Sequence, residues 1–321
     1  IGDIPTLNIF KRPDGKPMTV PPRRLLAHEI VRYAGESVAA VVATSRVLAQ
    51  SAAEAIVVDY EVLPAVVDPV EAVKPGAAVV WSEAPDNIVG AMSYGDAAKV
   101  DEAFAKAAHT VELDIVSQRL VPSAMEPRST IAEIEKKTGR LLLHVQSQTP
   151  GSTRDLLADA ILKRPKESIR VLVGDIGGGF GQKTSLYPED GIVAYAATKL
   201  NKKIRWRGDR TDEFGGGTHG RDLTSTGELA LDAKGRVLAY RVRSIGGTGA
   251  YCSGTANIIP LILGPFVQTG VYDLPLVHFE VKSVMTNTAP VGAYRGAGRP
   301  EAVFSVDCPF DAAARQTRQR P

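Results

Sequence analysis

The feature that most constrains this chain is a glycine-rich loop over residues 174–183, Gly-Asp-Ile-Gly-Gly-Gly-Phe-Gly-Gln-Lys, called here the glycine loop. An apolar run with strand character, residues 169–173, precedes it, and a helix-like segment, residues 191–200, follows it. Glycines adopt positive φ without strain and carry no side chain, so a ligand can lie against bare backbone N–H groups. Lys183 is expected to supply a positive charge at the edge of this loop. The pattern therefore predicts a site for an anionic or strongly polar cofactor.

Two other interpretations of the glycine loop stay open at this point. Glycine-rich turns between a strand and a helix also occur for close packing, without any ligand. The second alternative is a nucleotide site, but the distances from the glycines to Lys183 are too short for the GxxxxGK[ST] spacing. No acidic residue stands where a dinucleotide-binding GxGxxG unit requires one. The nucleotide interpretation further requires that the loop open a helix directly.

Composition disfavours several classes of function. The net charge is +2, the aromatic content is 6%, and the sequence has no basic stripe interleaved with aromatic residues. These features argue against nucleic-acid binding. Two distant cysteines, Cys252 and Cys308, and five isolated histidines match no zinc or iron–sulfur spacing. A direct protein ligand to a metal is therefore not expected. Without a membrane-length apolar run or a leader-like N-terminus, a cytoplasmic protein is expected.

The N-terminal region predicts a β-α-β unit. Residues 38–43 are a short apolar run suited to a buried strand, and Ser45 can cap the alanine-rich helix that follows. Residues 56–62 are rich in β-branched side chains and predict a second strand. A stretch containing proline and glycine, residues 74–86, is the best candidate domain boundary.

The region after this boundary alternates predicted helices and strands. The residues around Asp232 to Gly235 are typical of a hairpin turn between strands at 227–231 and 236–244. Other predicted strands lie at 110–116, 130–134, 141–146, 169–173, 203–207 and 276–284, and predicted helices at 97–108, 155–162 (capped by Ser152 or Thr153), 191–200 and from 302 onward.

Three polar constellations accompany the glycine loop. Residues 146–150, the glutamine turn, follow a strand, and a glutamine there offers a donor and an acceptor to an oxo, sulfido or heterocyclic group. Residues 293–301, the arginine loop, place glycines and a small residue between two arginines, so backbone and guanidinium can both approach a ligand. Taken singly, the glutamine turn is better explained as a turn-forming polar cluster, and the arginine loop is equally consistent with a loop whose arginines face solvent. Glu126 and Arg128 are expected to form a structural ion pair.

Together these motifs resemble the large, molybdenum-binding subunit of the xanthine oxidase family of molybdenum hydroxylases. Within that family, the resemblance is greatest to the aldehyde oxidase and carbon monoxide dehydrogenase large-chain group. It runs from about Leu26 to Val303 and rests on the order of five motifs, at residues 118–128, 146–150, 174–183, 206–221 and 294–301. It implies an α+β (mixed) fold, with an α/β hammerhead domain over 1–80 followed by a first molybdenum-cofactor-binding domain over 81–321, with mixed sheets and packed helices.

The resemblance also implies a cofactor and its binding residues. The cofactor is molybdopterin, in bacteria often the molybdopterin cytosine dinucleotide, held without a protein-to-metal bond. Gln148 is implied to hydrogen-bond an apical oxo group, and Arg295 to meet the cofactor through its peptide group or guanidinium. The implied cofactor-binding residues are Gln148, Gly178, Gly179, Phe180, Gly181, Arg295, Gly296 and Ala297. The implied reaction is an oxidoreductase hydroxylation of a carbonyl or heteroaromatic carbon, with water as the oxygen source. Electrons leave through 2Fe-2S clusters to FAD, groups expected on separate small and medium subunits.

Departures from the family pattern narrow the expected substrate. The carbon monoxide enzymes carry a copper-binding cysteine directly after the loop arginine, where this chain has Gly296, so carbon monoxide is disfavoured. Purine-oxidising members carry a glutamate after the loop lysine, where this chain has Thr184, and an aromatic residue where it has Ala297. They also carry a second substrate arginine, which residues 261–265 do not offer. An aldehyde or an apolar aromatic heterocycle is the expected substrate.

Length is the largest departure. Family large chains continue into a second cofactor domain that holds the catalytic glutamate, and no glutamate here matches that motif, so no catalytic residue is assigned. Either a further polypeptide supplies this domain, in a hetero-oligomer, or the chain is a truncated, non-catalytic remnant or scaffold. The start at Ile1 in mid-pattern and the Arg-rich stretch 316–321 are both expected of a piece of a longer protein.

Overall fold

Two mixed β-sheets organise residues 1–320, the part of the chain that the computed structural model describes. The strands are β1 Ile88–Gly95, β2 His109–Ser117, β3 Ser129–Ile134, β4 Leu141–Val145, β5 Ile169–Leu172, β6 Ile204–Arg207, β7 Leu223–Leu231, β8 Val237–Gly249 and β9 Val277–Met285. The larger sheet has the order β1-β9-β8-β7-β2, and the smaller sheet has the order β5-β4-β3-β6. Each sheet contains one parallel pair among antiparallel ones. The predicted α+β class is confirmed.

The hairpin between β7 and β8 forms as predicted. The Asp232 carboxylate accepts hydrogen bonds from the backbone N–H groups of Lys234 at 2.8 Å and Arg236 at 2.9 Å. Gly235 has φ +78°, a left-handed conformation that glycine adopts without a Cβ penalty. The turn chemistry therefore sets the register in which Leu231 lies opposite Val237.

The parallel pair in the smaller sheet positions the candidate site. Leu141 of β4 lies opposite Ile169 of β5, and His144 lies opposite Leu172. Because parallel strands point the same way, their carboxyl ends lie at one edge of the sheet. The chain leaves β4 into the glutamine turn and leaves β5 into the glycine loop, so both segments begin at that edge.

Residues 1–320 contain seven α-helices, and several of their bounds differ from the predictions. They are α1 Arg46–Glu54, α2 Pro69–Ala72, α3 Ala97–Ala105, α4 Pro150–Leu156, α5 Pro188–Leu200, α6 Arg210–Gly216 and α7 Arg299–Thr317. Helix α5 begins before the predicted residue 191 because Pro188 suits a first helical turn. The predicted helix 155–162 is wrong at its start: α4 begins after Thr149 and continues as a π-helical segment, Leu157–Leu162.

Packing joins the two halves of the chain. Helix α5 covers the smaller sheet, and α7 covers β2 and β7 of the larger sheet. A further core joins Phe10, Met18 and Trp81 to Tyr251 and Val284. Residues on both sides of position 80 thus share one core, and the division into domains at 1–80 and 81–321 stays a prediction. None of the helices in residues 1–320 has both the length and the apolar character needed to cross a membrane.

The predicted β-α-β unit near the N-terminus is wrong in both of its strands. Helix α1 forms, with Ser45 accepting from the Leu48 N–H at 3.3 Å, as predicted. Residues 38–43 and 56–62 belong to no strand, and Val57 and Val62 are 91% and 92% exposed. No strand within residues 1–320 pairs with either segment. Strand propensity reflects packing against cross-strand neighbours, so β-branched composition alone does not produce a strand here.

Candidate functional site

Gln148 lies against the glycine loop. The Gln148 backbone N–H donates to the Lys183 carbonyl at 2.8 Å, and the Gly181 N–H donates to Gln148 Oε1 at 3.0 Å. A Cβ at Gly179 would lie 2.4 Å from that same Oε1 atom. Glycine is therefore required at 179 for the amide to pack on the backbone, and the two predicted segments form one surface.

The backbone of the glycine loop is strained and open. Gly178 and Gly181 both have φ +99°, and Phe180 has φ +51°, which is uncommon for a residue with a side chain. Such a conformation costs about 1–3 kcal/mol and persists only when surrounding contacts impose it. The Phe180 ring is 44% exposed. The loop thus presents backbone and one aromatic ring outward.

The arginine loop contacts the glycine loop directly. The Arg295 N–H donates to the Phe180 carbonyl at 3.0 Å. A Cβ at Gly181 would lie 2.5 Å from the Ala293 carbonyl oxygen, so only glycine permits this approach. Gly296 and Ala297 continue the arginine loop with φ +98° and +46°. The predicted cofactor-binding residues therefore lie in three segments, and the glycine loop contacts the other two.

The role expected for Lys183 is wrong. Its side chain is buried, and Nζ donates to the Glu126 carbonyl at 2.9 Å and lies 3.5 Å from the Glu126 carboxylate. Burial lowers the pKa of Lys183, partly opposed by the Glu126 carboxylate. The ammonium group therefore holds the base of the glycine loop and does not face a ligand.

Glu126 supports the glycine loop, a role that the sequence did not indicate. Its carboxylate accepts from the Gly177 N–H at 2.6 Å, and its backbone N–H donates to the Gly177 carbonyl at 3.2 Å. The pairing with Lys183 spans 57 residues. No local pattern could have revealed it, because the two residues meet only through the fold.

The predicted ion pair between Glu126 and Arg128 is also wrong. Arg128 is buried, and its guanidinium binds Glu213 at 2.9 Å and Glu189 at 3.4 Å, stacked 3.8 Å from the centre of the Tyr187 ring. A buried guanidinium requires buried carboxylates. Glu213 on α6 and Glu189 on α5 provide them, while Glu126 faces the glycine loop.

The unpaired donors of the site suit an anionic oxygen-rich group. Within residues 1–320, Gln148 Nε2 and the backbone N–H groups of Gly178, Gly179 and Phe180 donate to no protein acceptor. Free N–H donors on a glycine-rich backbone are of the kind that binds an oxo group or a phosphate. The residues present therefore fit a pterin cofactor bearing such groups. No cluster of three or more His, Cys, Asp or Glu side chains within residues 1–320 could hold a metal ion.

The glycine loop does not open a helix directly. It leads into a 3-10 turn, Gln182–Thr184, and α5 begins only at Pro188. A nucleotide-binding loop of the strand-to-helix type would place backbone N–H groups at the start of the helix. This geometry argues against the nucleotide interpretation.

Comparison with protein-family models gives two matches. The molybdopterin cofactor-binding domain matches residues 80–321, and the a/b hammerhead domain of aldehyde oxidase and xanthine dehydrogenase matches residues 2–64. The first match alone covers most of the chain.

Individual relatives agree with these matches. The nicotine 6-hydroxylase large subunit of Paenarthrobacter nicotinovorans is 34% identical over 316 residues, covering 95% of this chain and 37% of that protein. The carbon monoxide dehydrogenase large chain of Hydrogenophaga pseudoflava is 33% identical, covering 91% of this chain and 38% of that protein. The crystal structure of quinoline 2-oxidoreductase from Pseudomonas putida 86 superposes with a TM-score of 0.88 at 35% identity, covering 98% of this chain and 40% of that one.

The chain thus spans 37% and 38% of the length of the two relatives named above. Over that span, the mixed fold with its two sheets agrees with the family matches and with the superposed structure. The chain belongs to the xanthine oxidase family of molybdenum hydroxylases, and it corresponds to a portion of the molybdopterin-binding large subunit.

Proposed function

We propose that this chain binds the molybdopterin cofactor of an oxidoreductase that hydroxylates aromatic N-heterocycles or aldehydes with oxygen from water. One observation carries the proposal: the glycine loop hydrogen-bonds both to Gln148 and to the arginine loop, and within residues 1–320 several N–H donors of this assembly have no protein acceptor. A preorganised set of donors binds a polar group without the cost of rearranging at the moment of reaction.

Each segment has a distinct role in this proposal. Gln148 holds Gly181 through Oε1, which orients Nε2 to donate to an oxo group. The Gly178, Gly179 and Phe180 backbone lies beside the cofactor, where the absence of side chains permits close approach. Arg295, Gly296 and Ala297 bound the other side, and the hydrogen bond from Arg295 to Phe180 keeps the two loops at a fixed separation.

When bound, the molybdenum–pterin group would supply the two-electron oxidation of the substrate carbon. The proposal includes small and medium partner subunits that carry 2Fe-2S and FAD groups as the electron acceptors. No glutamate of this chain matches the family's general-base motif. The proposal therefore assigns the general base to a second cofactor domain. The cytosine dinucleotide form of the cofactor and a cytoplasmic location are further parts of the proposal.

The loop geometry supports the choice of substrate. A Cβ at Gly296 would lie 2.5 Å from both Cγ and Cδ of Pro300, so the position of the copper-binding cysteine has no room for a side chain here. Thr184, at the position of the purine enzymes' glutamate, donates to the Gly181 carbonyl at 2.6 Å and offers no carboxylate. Two of the relatives carry the names of enzymes acting on nicotine and quinoline, which are N-heterocyclic compounds.

The experiment is a cofactor and turnover assay on the complex purified with its native partners. We expect about one molybdenum and one pterin per chain, and reduction of an electron-accepting dye with quinoline or benzaldehyde but not with carbon monoxide. Absence of molybdenum and pterin above background would overturn the proposal. A loaded complex without turnover on any of these substrates would favour the non-catalytic scaffold.

A matched pair of glycine variants tests whether the loop holds the cofactor. In G181A the new methyl group meets the Ala293 carbonyl and the residue has φ +99°, so we expect loss of most bound molybdenum. G174A is the control, because a Cβ there meets nothing within 4 Å. Equal molybdenum content in the two variants would contradict the assignment of Gly181.

A further inference from the structure

Arg221 and Asp222 form an unusual turn immediately before β7. Their φ angles are +63° and +71°, two successive left-handed residues that both carry side chains. This conformation is unfavourable for residues with side chains, and it persists only where surrounding contacts impose it. Such outliers cluster at functional sites, and here the contacts of the Arg221 side chain indicate what the conformation achieves.

The Arg221 guanidinium contacts both halves of the arginine loop. One nitrogen donates to the Arg295 carbonyl at 2.7 Å, and the other donates to the Tyr294 carbonyl at 3.2 Å. The second nitrogen also lies 3.2 Å from each carboxylate oxygen of Glu301, in the first turn of α7. The Arg221 and Glu301 side chains are 11% and 5% exposed, so this pair is largely shielded from water.

The turn itself is held to the larger sheet. The Asp222 carboxylate accepts from Arg119 at 2.6 Å, and the Gly247 N–H donates to the Asp222 carbonyl at 2.8 Å. A Cβ at Gly247 would lie 2.0 Å from the Asp222 carboxylate. The turn therefore has a fixed position on β8, and the Arg221 side chain extends from it to the arginine loop.

We propose that Arg221 is a positioning residue that holds the Tyr294 and Arg295 peptide groups in the orientation that the cofactor site requires. Holding the Arg295 carbonyl orients the neighbouring residues, so that the Arg295 N–H reaches Phe180 and Gly296 and Ala297 face the cofactor. The planar guanidinium can serve two carbonyls and a carboxylate at once, which an ammonium group cannot do with the same geometry. This inference rests on the proposed function.

The test compares R221K and R221Q with R241K in the assembled complex. R241K is a matched control, because Arg241 is also mostly buried and forms a two-nitrogen ion pair with Glu228 at 2.8 and 2.7 Å, in strands β7 and β8. R221K keeps a positive charge beside Glu301 but loses the planar guanidinium. It therefore still tests the positioning role if R221Q does not fold.

Three quantities are measured on each complex. They are turnover per bound molybdenum, hydrogen exchange of peptides covering 293–298, and the electron paramagnetic resonance spectrum of the reduced complex. For R221K and R221Q we expect kcat per molybdenum to fall about tenfold to a hundredfold with a smaller change in KM, since misplacement by about 1 Å costs that much. We also expect faster exchange at 293–298 and an altered spectrum, while R241K matches the wild type in all three.

The outcomes separate this inference from the proposed function. A wild-type complex without molybdenum or pterin contradicts the proposed function, whatever the variants do. A loaded wild-type complex whose Arg221 variants keep its kcat, exchange rates and spectrum overturns the positioning role. The same changes in R241K would also overturn it, because they would then reflect general destabilisation.

Discussion

The glycine loop and the N-terminal segment 38–63 are opposite cases of the relation between local sequence and structure. The glycine loop has little regular secondary structure, yet Gln148, Glu126 and Arg295 each hydrogen-bond to it. The N-terminal segment is rich in β-branched residues, yet outside α1 it forms no strand, and α1 has no buried residue.

The difference shows that contacts between distant residues determine order in this chain more than local propensity does. The glycine loop is irregular but is held by partners from the glutamine turn, the 118–128 region and the arginine loop. The N-terminal segment has the composition of strands but no neighbouring strand in residues 1–320 to complete a ladder. Hydrogen bonds and side-chain packing between neighbouring strands stabilise a strand, whereas a β-branched composition is only compatible with one.

The largest expected effect is on the buried charges beneath the site. Replacing Glu213 with alanine leaves the Arg128 guanidinium buried with only the more distant Glu189, so E213A should lower the free energy of unfolding by about 3–5 kcal/mol. Denaturant unfolding measures this change. The control is E54A on α1, where an exposed hydrogen bond to Gln50 is lost and the effect should stay within about 0.5 kcal/mol. Equal losses would remove the contrast between the two regions.

A pH dependence of intermediate size is expected from Asp190 at the start of α5. Burial raises the pKa of Asp190 from an ordinary value near 3.8 to about 6, although hydrogen bonds from Thr130 and the Tyr187 N–H oppose the shift. Because the folded pKa exceeds the unfolded one, the contribution is fully present below pH 3.8 and lost as pH rises through 6. It amounts to roughly 2–3 kcal/mol.

The measurement is the stability of the wild type minus that of D190N from pH 4 to pH 7.5. The difference should fall as pH rises towards 6 and level off above it. A difference that is constant, or that rises with pH, would show that Asp190 stays ionised in the folded protein.

The smallest effect is expected at the exposed valines of the N-terminal segment. V62S removes an apolar side chain that is 92% exposed, so the free energy of unfolding should change by less than about 0.5 kcal/mol. The buried comparison is I161V in the core under α5, which should cost about 0.5–1.5 kcal/mol. If V62S costs as much as I161V, residues 56–62 pack against a partner in solution, and the contrast between the two regions is weaker than the structure indicates.

Much of the fold beyond residue 80 could be predicted, because its elements have strong local signals. The hairpin at Asp232, the strands around 110–116 and 276–284, and helix α3 all lie within a few residues of their predicted bounds. Whether residues 38–43 and 56–62 form strands could not be decided from the sequence, since a β-branched segment becomes a strand only where a neighbouring strand is present.

The sequence by itself determined the family, the order of the motifs and the identity of the segments at the site. Glycine spacing, a strand-end glutamine and paired arginines are local features, and they persist in the sequence whatever the surroundings. The tertiary structure alone decided that Lys183 is buried against Glu126, that Arg128 pairs with Glu213, and that Arg221 holds the arginine loop. The physical reason is that a charged side chain pairs with whichever group the fold brings close to it. These partners are 57 to 85 residues away along the chain, so no local pattern identifies them.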